Sequence, residues 1–160
     1  MKLCMIGTGY VGLVSGACFS DLGNSVICVD KDTKKIDNLK KGIIPIYEPG
    51  LDELVKKNYR SGKLKFTSNL KESVLKSDII FICVGTPTKK NSNAADLTQI
   101  YKLAKEISKY DKKFKIIITK STVPVTTGDK IEKIISKKVS KKLFVIASNP
   151  EFLREGEAIR

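Results

Sequence analysis

The 160-residue chain contains no histidine, and none of its four cysteines forms a C-x-x-C pair. With neither ligand set present, we expect no zinc site. No run is long and apolar enough to span a bilayer, so we expect no membrane partner. The start Met1-Lys2-Leu3-Cys4 passes directly into an apolar strand, from which we expect no signal peptide and a cytoplasmic location. There is no repeat of solenoid period, no low-complexity tail and no linker before Pro150, so residues 1–149 read as one domain with a full core.

Acidic residues are scarce: 17 Asp and Glu stand against 30 Lys and Arg, a net charge of +13. Such a balance raises the possibility of a nucleic-acid partner. The lysines, however, fall in scattered pairs (Lys34-Lys35, Lys56-Lys57, Lys89-Lys90, Lys112-Lys113, Lys141-Lys142), with no interleaved aromatic residues for bases to stack on. The expectation is a solvated basic surface that steers anionic small molecules rather than nucleic acid. Cys4, Cys18, Cys28 and Cys83 sit in apolar surroundings and read as buried, reduced thiols. Cys83, at a strand's carboxyl end, is the one candidate nucleophile among them.

What is present begins with Gly7-Thr8-Gly9-Tyr10-Val11-Gly12, between an apolar run at 2–6 and a stretch with helical spacing. In a G-x-G-x-x-G turn, Gly7 lets the chain leave a strand sharply. Gly9 lets main-chain N–H groups approach a diphosphate, and Gly12 lets the new helix pack against the strand. A second strand at 25–29 ends in Asp30, the spacing of an acid that holds ribose hydroxyls. The bland alternative is a tight turn without a ligand.

Strand and helix signals alternate along the chain: strands at 2–6, 25–29, 64–67, 79–84, 115–119 and 143–147. Helices are expected at 10–22, from 33 to about 41, at 51–59, 69–75, from 96 to about 110, and at 129–138. The first helix should bury Val11, Val14, Cys18 and Leu22, and Asp32 and Asp96 should cap the second and fifth. Residues 88–95 read as a polar, mobile loop. Asn149 and Pro150 read as the cap and first residue of a further helix. The fold class is α/β, a Rossmann-type doubly wound parallel six-stranded sheet with helices on both faces, in the order 3-2-1-4-5-6.

The unusual stretches follow carboxyl ends of strands, where such sheets bind ligands. Asp30 favours NAD over NADP, because a carboxylate repels a 2′-phosphate; Lys31, Lys34 and Lys35 could shield that charge. Thr86, after Gly85, and Thr122 could each donate a hydroxyl to a cofactor or be satisfied by backbone. On a helix, Glu151 and Glu155 would share one face, with dipole stabilisation and pairing to Arg154 as the alternative role.

The combined stretches Gly-Thr-Gly-Tyr-Val-Gly (7–12), Tyr-Glu-Pro-Gly-Leu (47–51), Cys-Val-Gly-Thr-Pro (83–87), Lys-Ser-Thr-Val-Pro-Val (120–125) and Asn-Pro-Glu-Phe-Leu-Arg-Glu-Gly (149–156) resemble the UDP-glucose/GDP-mannose dehydrogenases. The fourth favours the UDP-glucose branch. The resemblance implies oxidation of UDP-glucose to UDP-glucuronate with two NAD, through an aldehyde and a thioester on a cysteine. That cysteine, with its lysine and asparagine partners, would lie in a later domain. The resemblance implies cofactor contacts from Val11, Asp30, Lys35, Thr86 and Thr122, with Tyr10 and Gly85 beside them. It implies sugar-nucleotide contacts from Glu151, Phe152, Leu153, Arg154 and Glu155, the last also near the nicotinamide. Thr122 and Glu151 would position a water in the reaction.

Residues 150–160 would start the connection to a substrate domain, and the longer protein would form a homodimer. One departure stands out: Thr126 occupies a place where the family usually has glycine, which would permit positive φ. Other nucleotide sugars (GDP-mannose, a UDP-N-acetyl sugar) and a non-catalytic NAD-binding module remain the competing readings.

Overall fold

A computed structural model describes residues 1–90, 92–110 and 113–159. Asn91 of the expected loop, Lys112 of one lysine pair and Arg160 lie outside the described residues. The chain alternates β1 (Lys2–Ile6), α1 (Tyr10–Asp21), β2 (Ser25–Val29), α2 (Thr33–Lys40), α3 (Leu51–Arg60), β3 (Leu64–Thr67) and α4 (Leu70–Lys76). It continues with β4 (Ile79–Ile82), α5 (Thr98–Tyr110), β5 (Lys115–Thr119), α6 (Thr127–Ile135), a 3-10 turn (Lys141–Leu143) and β6 (Phe144–Ser148). The six strands form one sheet in the order β3-β2-β1-β4-β5-β6, every pair parallel. This is the expected order.

The period of two along each central strand divides the core into two layers. Leu3 and Met5 of β1, and Phe81 on β4, face one layer, where Leu13, Val14 and Ala17 of α1 and residues of α2 and α3 cover them. Cys4, Ile6, Ile80 and Ile82 face the other, beneath Val74, Ile100, Ala104, Ile107, Ile131 and Ile135. Each fully buried aliphatic side chain contributes about 1.5–3 kcal/mol, so both faces of the sheet are held by comparable apolar layers. Among the described residues, no helix is long and apolar enough to cross a membrane.

Several element ends differ from expectation. Leu22 was expected on the buried stripe of α1 but is 78% exposed, because the helix closes at Asp21 and Leu22 caps it. Burial on α1 extends well beyond that stripe. Gly12 to Ala17 are all buried, since α1 is wedged between the sheet and α3. β4 ends at Ile82, two residues early, although the Cys83 N–H still donates to the Ile6 carbonyl (2.8 Å). α6 starts at Thr127, where a turn from the Pro124 carbonyl already sets the backbone, and it stops at Ile135. β6 begins one residue late, after the 3-10 turn. Asp32 caps α2 through the Lys35 N–H, and Asp96 accepts from the Thr98 N–H at the start of α5. Thr126 has φ −77°, so this turn has no need of glycine. The ends of the 88–95 loop pair as an antiparallel bridge between Thr88 and Ala95.

No helix starts at Asn149-Pro150, contrary to expectation. Described residues 150–159 form no helix. Asn149 continues the sheet instead, its N–H donating to the Thr119 carbonyl, and its would-be capping oxygen accepts from Lys120 Nζ at 3.1 Å. Farther on, Gly156 takes φ +88°, and the Glu48 carboxylate accepts the N–H groups of Gly156 and Ala158. With the Gly156 and Ala158 N–H groups bonded to Glu48 and Gly156 in the left-handed region, neither group is free for the bond four residues back that a helix through 150–159 would need.

Candidate functional site

The site lies beyond the carboxyl ends of β1, β2, β4 and β5, where the chain order reverses between β1 and β4. The three glycines of the first turn have separate physical tasks. Gly7 sits at φ +104°, and a Cβ there would stand 2.7 Å from the Cys83 carbonyl oxygen. A Cβ on Gly12 would stand 1.9 Å from the Gly7 carbonyl oxygen, so α1 reaches the strand only because that side chain is missing. Gly9 is different. Its backbone is ordinary (φ −72°, ψ −171°), and a Cβ there would meet nothing within 4 Å. Nothing inside the fold demands glycine at this position. The open space above it, at a helix N-terminus with no side-chain cap, fits a diphosphate approaching main-chain N–H groups.

Asp30 is oriented before any ligand arrives. Its Oδ2 accepts from the Thr8 N–H (2.9 Å), the Thr8 hydroxyl (2.8 Å) and Lys35 Nζ (3.3 Å), and its Oδ1 accepts from the Asp32 N–H (3.1 Å). Partial burial pushes its pKa up. The bonds from Thr8 and Asp32, with the Lys35 charge, outweigh that and hold it below the usual carboxylate value. Asp30 is therefore an ionised acceptor at neutral pH. Thr8, fully buried, was missed from the sequence. Its role follows from the parallel register, which sets Ile6 beside Val29 and so carries the next residues of both strands past each other.

A cleft of about 380 Å³ is lined by Gly9, Asp30, Lys31 and Lys35, and by Gln99 and Lys102 of α5. A second depression, about 260 Å³, is lined by Tyr10, Val11, Thr86, Lys120, Thr122 and Glu151. The two share Gly9, Cys83, Val84 and Gly85, and so make one trough across the switch point. Its walls are tied together below. The buried Ser121 hydroxyl donates to the Val84 carbonyl (2.6 Å), joining the turn after β5 to the turn after β4. The Thr86 hydroxyl donates to the Thr122 carbonyl (3.2 Å), which leaves its oxygen lone pairs free to accept from a ligand.

Glu151 is half-buried, and among the described residues its Oε2 is buried without a hydrogen-bond partner. A buried carboxylate oxygen is costly unless something donates to it, so a water or ligand group is the natural complement. Of the expected substrate segment, only Glu151 lines the trough. Leu153 packs on the core, Phe152 is 91% exposed, Arg154 pairs with Glu157 (3.0 Å), and Glu155 is exposed. Glu151 and Glu155 do not share a helix face, because no helix forms there. Cys83 lines the trough floor, but burial pushes its thiol up to about 12, so at neutral pH it is not a thiolate nucleophile.

Fold and trough together define a dinucleotide-binding domain of the α/β dehydrogenase class. The sequence model of the UDP-glucose/GDP-mannose dehydrogenase family, NAD binding domain, matches residues 1–160. The chain belongs to that family and carries its NAD-binding domain. It is 55% identical over 159 residues to a UDP-glucose 6-dehydrogenase of Rhizobium meliloti (strain 1021), covering 99% of this chain and 36% of that protein. It is 51% identical over 159 residues to the UDP-glucose 6-dehydrogenase TuaD of Bacillus subtilis (strain 168), covering 99% of this chain and 34% of that protein. Among solved structures, a ternary complex of GDP-mannose dehydrogenase from Pseudomonas aeruginosa superposes with a TM-score of 0.91 at 39% identity, over 99% of this chain and 38% of that one. The chain thus spans about a third of the length of the curated relatives it matches.

Proposed function

We propose that this chain is the cofactor-binding part of an enzyme that oxidises UDP-glucose to UDP-glucuronate, residues 1–149 forming the NAD domain and 150–160 beginning the connection to a substrate domain. The observation that carries the substrate is the name UDP-glucose 6-dehydrogenase, shared by relatives 55%, 51% and 49% identical over 99% of this chain. Bound NAD supplies the acceptor for hydride from the sugar's C6. The chain's own residues bind, orient and hold protons around it. The open face at Gly9 and the N-terminus of α1 would take the diphosphate, and Asp30, with Lys35 beside it, would accept from the ribose hydroxyls. Val11, Thr86 and Thr122, which line one depression with Glu151, would hold the nicotinamide end, and the Glu151 carboxylate would hold a water there with Thr122.

The nucleophilic cysteine lies outside these residues on this reading, and none of the four cysteines takes its place. UDP-glucose is the partner of the whole protein, and a homodimer is its expected assembly, on the family resemblance. The reading is tested by titration and turnover. The 160-residue chain should bind NAD but form no NADH from UDP-glucose, whereas the full-length protein should form two NADH per sugar. NADH formation from UDP-glucose by the 160-residue chain alone, or preference of the full-length protein for GDP-mannose, would contradict it.

A further inference from the structure

Glu48 lies between α2 and α3, in an irregular segment with proline on either side of it at 45 and 49, yet it is only 5% exposed. A glutamate is rarely so buried unless its carboxylate is satisfied. Here both oxygens are taken. Oε2 accepts from the Tyr10 hydroxyl (2.6 Å) and the Gly156 N–H (2.7 Å), and Oε1 accepts from the Ala158 N–H (2.8 Å). These donors stand 38, 108 and 110 residues away in sequence, so one side chain joins three remote parts of the chain.

The parts it joins are not arbitrary. Tyr10 opens α1 at the glycine turn and lines the same depression as Glu151. Gly156 and Ala158 follow directly on the segment that carries Glu151. Leu153, Ala158 and Ile159 rest on the same apolar layer as Tyr10 and Val11, which brings the segment to the helix but does not fix its position along it. Directional bonds to a carboxylate do fix it. The proton stays on the tyrosine. Burial and then the Glu48 bond push the Tyr10 hydroxyl up to about 12, while that same bond, first among several, holds Glu48 below the ordinary carboxylate value.

We propose that Glu48 is a positioning residue: it locks the segment bearing Glu151 against the diphosphate-binding turn, so that the Glu151 carboxylate is held at the nicotinamide end of the trough. The inference rests on the reading of Glu151 as the carboxylate that serves the sugar oxidation. Glu48 lines neither part of the trough, and its carboxylate reaches the site through Tyr10, Gly156 and Ala158. A displacement of about 1 Å at a reacting group costs on the order of 100-fold in rate, so the lock should be read in turnover more than in cofactor affinity.

The test uses Glu48→Gln and Tyr10→Phe in the full-length protein. Glutamine keeps the shape, but its NH2 must face a backbone N–H whichever way the amide turns. Phenylalanine removes one donor and leaves both backbone bonds. For Glu48→Gln, we expect kcat with UDP-glucose to fall about 10- to 100-fold while KM for NAD stays within about 2-fold. Amide exchange at Gly156 and Ala158 should quicken at least about 10-fold while the β4 amides stay protected. Tyr10→Phe should change both readouts in the same direction by less. Unchanged exchange at those two amides, unchanged turnover, or a loss of kcat matched by faster exchange throughout the sheet would overturn the proposal. If the unsubstituted protein does not oxidise UDP-glucose, the substrate assignment fails separately. The selective exchange comparison then still decides whether Glu48 holds the segment.

Discussion

Replacing Gly12 by alanine should lower the thermal midpoint of the chain by roughly 6–12 °C and abolish cofactor binding with it. The added Cβ would lie 1.9 Å from the Gly7 carbonyl oxygen, a backbone atom with no rotamer to escape into. Either α1 lifts from β1 or the turn between them opens. The first strips contacts from Leu13, Val14 and Ala17, all fully buried; the second moves Gly7, whose own Cβ position is already closed by the Cys83 carbonyl. Overpacking against a core costs about 1–3 kcal/mol and more when backbone must move. Taking about 3 kcal/mol, and about 2–4 °C per kcal/mol for a domain of this size, gives the range stated. Circular-dichroism melts measure it directly. A Gly12→Ala variant that melts with the parent chain would mean that helix and strand are not packed as described.

Asp30→Ala should weaken NAD about 10- to 100-fold while leaving NADP nearly unchanged or better bound. A hydrogen bond to a charged group contributes about 1.5–3 kcal/mol, and each 1.4 kcal/mol is tenfold in affinity. The carboxylate is already aimed by Thr8 and the Asp32 N–H, so little ordering is needed when ribose hydroxyls approach. With the charge removed, Lys31, Lys35 and Lys102 around the same cleft are left to face a 2′-phosphate. The pH dependence has a defined sign. Asp30 is held below its ordinary value of 3.8, so its contribution is complete above that value and is lost only as the pH falls below it, through the depressed pKa. NAD affinity measured calorimetrically should not respond to Asp30 between pH 6 and pH 8. Equal loss of NAD and NADP affinity in Asp30→Ala would argue that the residue supports the turn rather than reads the ribose.

The sheet order was legible because each strand is a short apolar run closed by glycine, proline or a capping side chain, and each crossover carries a helical stripe. Gly7, Gly9, Gly12 and Asp30 were legible because their spacing is set by a local βαβ unit. What failed was governed by contacts remote in sequence. Asn149-Pro150 has the residues of a helix start, but Lys120 takes the asparagine oxygen and Glu48 takes the N–H groups of Gly156 and Ala158. Nothing near residue 150 announces either partner. Leu22 looked buried because periodicity does not say where a helix ends. Thr8 and Ser121 are small hydroxyl residues in turns, and only the parallel pairing of strands shows what their side chains reach. Glu48 stood inside a recognised stretch, Tyr-Glu-Pro-Gly-Leu, but local sequence could not reveal that its carboxylate closes a contact across more than 100 residues.

Titration of NAD into the parent chain and into Gly9→Ala, with a thermal melt of each, tests the trough most directly. A Cβ at Gly9 meets no protein atom within 4 Å, so the fold should tolerate it and the melts should coincide to within about 1 °C. The added methyl stands where the diphosphate must approach the main chain, so NAD affinity should fall at least about tenfold. Saturable binding that persists undiminished in Gly9→Ala, or no binding by the parent chain at millimolar NAD, would place the coenzyme elsewhere or nowhere on this molecule.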